Sequence, residues 1–202
     1  MSKKKAIKGF KRLSFFPITK NTRTEYEVGE AIPIENVQEM SKEDIKSEKE
    51  IYADDTIYLN LINWSGQTVS ITVAEMDLQK MANLGFGEYT EGTGEFKHNP
   101  QGSNKEFAVS FACEIASGEY RMFKFYDFVI AEVKESAIKT KGDSGDIQPY
   151  TITGTFKRRA KDEEYSVIKD GSDLTWLDTI EAPATEEMTA LNSKSKKQVE
   201  SV

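Results

Sequence analysis

The chain has 202 residues, and its 27 Lys and Arg against 34 Asp and Glu give a formal net charge of -7 at pH 7. This length predicts one domain with terminal segments, and no apolar run approaches the roughly 20 residues that a transmembrane helix needs. The acidic balance argues against a protein that grips nucleic acid, because such proteins displace counterions from phosphates with cationic side chains. Plain solubility also explains this charge and is the favoured explanation from the charge alone.

The first twelve residues are strongly basic. They contain Lys and Arg but no acid, and the charges interrupt the stretch where the apolar region of a secretory signal would lie. Cys113 is the only cysteine, so the chain cannot form an internal disulfide. We therefore expect a protein that folds in a reducing cytoplasm.

The region 35–55 is acidic, and its conformation is open from the residues alone. Ser41-Lys42-Glu43-Asp44 resembles a capping box, and the residues that follow have helical composition. An exposed, twisted strand is the alternative.

Alternation of apolar and polar residues predicts several strands. The period-two pattern is present in 57–61, 68–73, 107–115 and 150–156. Short strands at this spacing, with turns expected at 64–67 and 117–119, favour a sandwich or barrel.

The segment 121–133 is less regular. Phe123 and Phe125 share one face of the predicted strand, whereas Phe128 and Ile130 fall on the other. Either both faces are covered, or a bulge near Tyr126 and Asp127 resets the phase.

One internal helix is predicted after Asp77. This residue can cap the helix, and Gly85 suits the left-handed position after its end. The buried stripe is predicted to consist of Leu78, Met81 and Ala82.

A second short helix is predicted to begin at Ser172 or Asp173. The apolar residues that it would bury are Leu174, Trp176 and Leu177. After about Glu181 the chain has almost no large apolar side chains, so we expect 181–202 to be a flexible polar tail.

No catalytic, cofactor or metal site is predicted. The sequence 142–145 (GDSG) matches the nucleophile motif of trypsin-like proteases, but the only histidine, His98, lies in an unrelated context, and a polar hairpin loop is expected. One His and one Cys cannot build a zinc site, and Asp143 and Asp146 lie in no EF-hand pattern. Cys113 is expected to be buried, as are the aromatics of 123–128, and His98 is expected to be an exposed loop residue.

Several segments, taken in order, resemble the major tail proteins of phages with long, non-contractile tails, especially those of Gram-positive hosts. The opening segment 7–18 (IKGFKRLSFFPI) is similar to the start of that family, and 51–55 (IYADD) resembles its "(F/Y)ADN" element, with Asp55 where Asn is frequent. The remaining segments that carry the resemblance are 66–74, 77–84, 121–134, 139–143 and 149–154. Together they cover roughly residues 7–168.

The resemblance implies a mainly β fold, with a minor helical part. It implies a tail-tube-type β-sandwich or barrel over 13–180, flanked by one short α-helix, with an extended basic arm at 1–12 and the flexible tail. It also favours a strand for 38–55. Such subunits form stacked, hexameric rings around a lumen through which the genome passes, so we expect a virion tail protein, assembled in the host cytoplasm, that is not an enzyme.

The implied partners are other copies of the chain and other tail proteins, such as the tape measure, the tail terminator and distal tail components. DNA would be present only transiently in the lumen, no membrane is involved, and no cofactor is expected. The regions expected to contact neighbouring subunits or rings are 1–12, 38–55 and 139–148. Their charged residues are Lys3, Lys4, Lys5, Lys8, Lys11, Arg12, Glu43, Asp44, Glu48, Asp54, Asp55, Lys141, Asp143 and Asp146.

Two other assignments stay open from the sequence. One is a tube subunit of a contractile tail or a type VI-like system, which would also need an outer surface that binds a sheath. The other is a sugar- or protein-binding β-sandwich of a phage baseplate, which would be a monomer or a small closed oligomer.

Overall fold

The computed structural model describes residues 5–53, 56–99, 105–135 and 149–183, and they are predominantly β. The mainly β fold class with one short α-helix is confirmed. The elements are β1 (Ile7–Asn21), β2 (Tyr26–Val28), β3 (Ile32–Ile34), β4 (Val37–Ala53), β5 (Thr56–Val73), α1 (Leu78–Asn83), β6 (Gly87–Thr90), β7 (Glu95–His98), β8 (Glu106–Ile115), β9 (Tyr120–Glu135), β10 (Tyr150–Lys157), β11 (Ser166–Gly171) and a 3-10 helix (Leu174–Asp178).

Most strands form one antiparallel sheet in the order β2-β1-β8-β9-β10-β5-β4. Two short strands join it at the side, since β3 pairs with β1 and β11 pairs with β9. The sheet curls, so that Phe10 of β1 and Met40 of β4 pack against the same core although their strands are far apart in the strand order. β6 and β7 form a separate hairpin.

The main core lies on the concave face of this sheet. It contains alternate residues of β1, β5, β8, β9 and β10, among them Phe15, Ile71, Phe107, Phe128 and Phe156. Alternation places these side chains together because successive residues of a strand point to opposite faces. The predicted strands 57–61, 68–73, 107–115 and 150–156 are confirmed, and 38–53 is a strand rather than a helix.

The central strand β9 is covered on both faces and also changes register. Every residue from Met122 to Phe128 is buried. Phe107 pairs with Phe128 while Val109 pairs with Phe125, so β9 has one extra residue at Tyr126 and Asp127. Both explanations of the irregular pattern are therefore correct. The aromatics of this strand and Cys113 are buried, as predicted.

The helix α1 begins and ends as predicted, but its buried face differs. The Asp77 carboxylate accepts a hydrogen bond from the Gln79 backbone N–H, and Gly85 has φ of 91°. Met81 is buried, whereas Leu78 is 39% exposed, so its assignment to the buried stripe was wrong. Leu84, just after the helix, is fully buried. In so short a helix only Met81 is buried, and the adjacent Leu84 adds the second apolar side chain that packs in the core.

The predicted turn at 64–67 was wrong, because these residues lie inside β5. Ile45 pairs with Gly66 and Lys46 with Trp64, so Ser65 is the extra residue of a β-bulge. A Cβ on Gly66 would lie 2.5 Å from the Phe156 carbonyl oxygen, so glycine lets β5 and β10 approach. The turn at 117–119 between β8 and β9 is confirmed.

Gly154 is a position where stability should depend on the absence of a side chain. A Cβ there would lie 2.5 Å from both Phe128 Cζ and the Val129 carbonyl oxygen. We expect Gly154→Ala to lower the free energy of unfolding by about 2 kcal/mol, because a tightly packed core resists added atoms. Urea unfolding measures this. Gly92→Ala is the matched control, since Gly92 has open space around it, and a change as large as that of Gly154→Ala would contradict the packing argument.

Candidate functional site

The strands β4 and β5 extend beyond the sheet as a two-stranded ribbon. The pairing of β10 with β5 ends at Gln67, whereas β4 and β5 continue to pair until Ala53 meets Thr56. We call residues 45–53 and 56–66 the ribbon. An isolated two-stranded ribbon is marginally stable in water, so it needs support from another surface.

One face of the ribbon carries most of its exposed aliphatic side chains, while Ile62 lies on the other face. Ile51 lies opposite Leu59, Lys49 lies opposite Leu61, and Ile45 is on the same face because it alternates with 47, 49 and 51 along β4. We call Ile45, Ile51, Leu59 and Leu61 the apolar stripe. Leu61 is 47% exposed. Contiguous apolar side chains on a projecting element mark an interaction surface.

The base of the ribbon is fixed to the body. The Asp44 carboxylate accepts hydrogen bonds from Gln67 Nε2 at 2.7 Å and Trp64 Nε1 at 3.3 Å, and it pairs with Lys46 Nζ at 2.7 Å. These three partners, Lys46 foremost, lower the pKa of Asp44 to about 2. The Trp64 ring packs edge-on to Tyr165, with centroids 4.7 Å apart. The ribbon therefore leaves the body in a defined direction.

A hydroxyl-rich surface covers the outer face of β4, β5 and β10. The cross-strand pairs align residues in rows, such as Ser41, Ser70 and Thr153. We call this surface the hydroxyl face; its Ser and Thr residues are Ser41, Thr68, Ser70, Thr72, Thr151, Thr153 and Thr155. The opposite side of the same strands carries core residues such as Ile71 and Ile152.

The charges beside the hydroxyl face are mainly acidic. Glu39 and Glu43 stand at the β4 end of its rows, opposite Thr72 and Thr68. On β9, Glu132 lies opposite Thr153. Its Oε1 forms an ion pair with Nζ of Lys134, two residues further along the strand, at 2.7 Å. The sequence showed the alternating hydroxyls of 68–73 and 150–156. Only the register shows that they lie on one surface with these carboxylates.

The predicted basic arm is partly a strand. Residues 7–12 belong to β1, and Phe10 pairs with Cys113 of β8. Lys5 pairs with Asp170 at 2.9 Å, and Arg12 pairs with Asp178 and donates to the Leu174 carbonyl oxygen at 3.3 Å. These two cations therefore hold the C-terminal part of the domain.

The other predicted contact residues are distributed differently. Lys8, Lys11 and Glu43 are exposed, and Glu48 accepts a hydrogen bond from Asn60 Nδ2 across the ribbon. The Asp44 carboxylate accepts a hydrogen bond from Gln67 of the same chain, at the base of the ribbon. Lys3, Lys4, Asp54, Asp55, Lys141, Asp143 and Asp146 lie outside the described residues, as does the GDSG sequence.

The outer face of the central strands is covered by the C-terminal segment. Leu177 is buried against Ala112 and Met122, and Ser110 Oγ donates to the Leu177 carbonyl oxygen at 2.9 Å. The short helix predicted near 173 is confirmed as a 3-10 helix, and Asp173 caps it by accepting from the Thr175 backbone N–H. From residue 184 onward, the predicted flexible tail lies outside the described residues.

A lysine is enclosed beneath this segment. Lys124 is 0% exposed, and its Nζ lies 3.9 Å from the centre of the Trp176 ring and 3.4 Å from Glu181 Oε1. Burial lowers the pKa of Lys124, and the Glu181 carboxylate opposes that shift. Because Glu181 is largely exposed, the aromatic ring supplies much of the stabilisation of the enclosed charge.

We expect Trp176→Ala to lower the free energy of unfolding by about 2 kcal/mol. The substitution removes the ring over Lys124 and leaves a buried cation with one exposed partner. Thermal unfolding with Trp176→Phe as the control tests this, because Phe retains an aromatic face. An equal loss in both variants would show that the ring face is not what stabilises Lys124.

A second polar cluster lies where β1, β8 and β9 meet. Asn21 Nδ2 donates to Glu106 Oε2 at 3.0 Å and to Asp127 Oδ2 at 3.1 Å. Asp127 is 4% exposed, and its Oδ1 has no hydrogen-bond partner among the described residues. Burial, and secondly the Glu106 carboxylate, raise the pKa of Asp127 to about 6.

The described residues show no arrangement for metal binding. No group of three or more His, Cys, Asp and Glu side chains within 5–53, 56–99, 105–135 and 149–183 is placed to hold an ion. His98 ends β7 and is exposed, so its predicted exposure is confirmed although it lies in a strand. None of the helices in these ranges is long and apolar enough to span a membrane.

Comparison with known proteins shows similarity to solved structures. No protein-family model matches the chain, and no curated protein matches it. The chain is similar to a chain in a cryo-EM structure of the anti-feeding prophage (AFP) baseplate, determined with six-fold symmetry, at 7% sequence identity and a TM-score of 0.39. That similarity covers 83% of this chain and 95% of the other. At this TM-score it carries no argument about function.

Proposed function

We propose that this chain is a non-enzymatic structural subunit of a phage tail tube, forming stacked, hexameric rings around a lumen. The proposal depends mainly on the ribbon, which projects from the body. The side chains of its apolar stripe are exposed and pack against no core in the single subunit. Water makes such a face unfavourable unless another molecule covers it. In an assembly, a neighbouring subunit would cover the apolar stripe and so account for the ribbon. The ribbon carries no group that suggests a catalytic role.

The edge of the sheet supports assembly with other copies. Within the described residues β4 pairs only with β5, so its 17 residues form a long outer edge. Long unpaired edges present backbone groups to another strand. Head-to-tail contacts between unlike surfaces produce rings when the rotation closes and filaments when it does not, as a stacked tube requires.

The hydroxyl face suits the surface that lines the lumen. Hydroxyls and carboxylates offer phosphates no cationic partner, so DNA passing over them gains little from counterion release. The paired Lys134 adds no free positive charge. The proposed partners are other copies of the chain, the tape measure, the tail terminator and distal tail proteins within the virion tail. DNA would be a transient occupant.

Negative-stain electron microscopy of the purified protein across a concentration series tests the proposal. Tubes, or stacked rings with a central hole, are the expected result. A field of monomers at every concentration, also after addition of the proteins that initiate the tail, would overturn it in favour of a monomeric binding module.

The lumen assignment makes its own prediction. Ser70→Lys combined with Thr153→Lys places two cations in one row of the hydroxyl face. We expect assembled tubes of this variant to retain DNA at least tenfold more tightly than wild-type tubes, with a steeper salt dependence, because lysines release phosphate counterions. Filter binding at several salt concentrations measures it. Thr90→Lys with Thr93→Lys, on the β6–β7 hairpin, is the control, and equal retention by both variants would contradict the assignment.

A further inference from the structure

An apolar groove lies where the curled sheet fails to close. β1 and β4 approach each other there without backbone pairing, since β4 is bonded to β5 alone among the described strands. The groove has a volume of about 300 Å³. Its apolar lining residues are Ile7, Phe10, Met40, Phe111, Cys113 and Phe123.

The groove contains a cation with no acidic partner. Lys42 Nζ lies 4.8 Å from the centre of the Phe125 ring and 5.6 Å from that of Phe123. No carboxylate of the described residues pairs with this ammonium, and burial lowers the pKa of Lys42. Lys8 is exposed on the adjoining stretch of β1. Glu39 also lines the groove, so the groove offers an apolar floor and a rim on which two lysines outnumber one carboxylate.

We propose that this groove receives the apolar stripe of the ribbon from a second copy of the chain. The proposal rests on the proposed function, because it names the surfaces through which one subunit holds the next. The groove and the stripe are different surfaces, so the contact is head-to-tail and can be repeated without limit.

A molecule cannot fill its own groove with its own stripe. Met40 and Lys42 point into the groove from one face of β4, whereas Ile45 and Ile51 belong to the opposite face of that strand. Alternation along an extended strand keeps the two sets apart. The ribbon also leaves the body directly after Asp44, so its stripe faces away from the groove beside its base.

The groove is also the surface that matches the stripe chemically. Two other concave surfaces of the described residues are lined mainly by polar and charged side chains, with Glu35, Asn36 and Asp77 in one and Arg23 and Arg158 in the other. A third, which shares Ile7 and Phe123 with the groove, extends its apolar surface towards Ile168. On the stripe face of β4, Glu43 directly precedes Ile45 in the alternation, so the stripe brings a carboxylate to the positive rim. Complementary charge fixes the register of such a contact.

The native thiol makes a direct test possible. Cys113 lines the groove, so Leu61→Cys gives each chain one thiol on each of the two proposed surfaces. Treatment of assembled protein with a short bis-maleimide should produce a ladder of dimers, trimers and larger species on a denaturing gel. Adding Cys113→Ala should abolish every crosslinked species, dimers included. Asn60→Cys, on the other face of the ribbon, should give no ladder.

A second pair guards against poor reactivity of the buried thiol. Ile7→Cys with Leu61→Cys in the Cys113→Ala background places an exposed thiol at the groove, and the same ladder is expected. If both pairs fail to crosslink while microscopy shows tubes, the groove has another occupant and this inference is overturned, whereas the proposed function stands. Dimers alone that survive Cys113→Ala would mean that two ribbons pack together, which also overturns it. If neither ladders nor tubes form, both proposals fail.

Discussion

Replacing Leu59 and Leu61 with Asp should abolish ring and tube formation without unfolding the subunit. These side chains belong to the apolar stripe and cover no core in the monomer, so we expect the thermal midpoint to change by no more than about 2 °C. In the assembled state the same positions would be desolvated against apolar side chains, and burying two carboxylates there would cost several kcal/mol per contact. Sedimentation velocity and electron microscopy measure the assembly, and circular dichroism measures the midpoint.

Leu78→Asp provides the matched control for this experiment. Leu78 is also an exposed leucine, but it lies in α1, away from the ribbon. This variant should assemble like the wild type. Normal tubes from the ribbon variant would show that the stripe is not an interface. A large fall in the thermal midpoint of the Leu59→Asp, Leu61→Asp variant would show instead that the stripe stabilises the monomer.

Local sequence patterns predicted β5, β8, β9, β10 and both helices, because each of these depends on nearby residues. The alternation at 107–115 reflects a strand whose one face meets the core, and Asp77 caps α1 through a bond within its own turn. Leu78 was misassigned because a helix of six residues has too few turns for periodicity to fix its orientation. Gly66 is needed because β10, at Phe156, comes too close for a side chain, and not because of a turn. No local pattern reveals a contact with a residue 90 positions away.

The candidate surfaces depend on register, which the sequence does not state. The acidic character of 35–55 predicted an exposed segment, but the apolar stripe arises from the pairing of Ile51 with Leu59. The hydroxyl face likewise needs β5 to lie between β4 and β10. The sequence placed Lys5 and Arg12 among the residues expected to contact neighbouring subunits. In the structure each forms an ion pair with an aspartate of the same chain, more than 160 residues away.

The buried carboxylate of Asp127 should make the subunit more stable in mild acid than at pH 8. Its pKa is raised from 3.8 to about 6, so the folded protein holds this proton more tightly than the unfolded chain. The ionised carboxylate works against folding above pH 6, and this penalty is relieved progressively as the pH falls from about 6 towards 3.8. The shift corresponds to about 3 kcal/mol at most, at 1.36 kcal/mol for each pKa unit.

The surroundings of Asp127 account for this direction. Glu106 faces it across Asn21 and repels its charge, and Oδ1 has no partner among the described residues. Asn21 Nδ2 and the cross-strand neighbour Lys157 favour the ionised form, but burial outweighs them. A proton on the carboxyl group removes the buried charge without disturbing the bond from Asn21.

Asp127→Asn should therefore stabilise the protein at pH 8 by about 1 to 3 kcal/mol and flatten its stability profile between about pH 4 and pH 6. Asparagine keeps an acceptor for Asn21 Nδ2 and carries no charge to desolvate. Urea unfolding at several pH values measures both effects. His98→Gln is the control, because it also removes an ionisable side chain, at an exposed position, and it should keep the wild-type slope. If the slope disappears in His98→Gln and persists in Asp127→Asn, the pH dependence belongs to the imidazole rather than to the buried carboxylate.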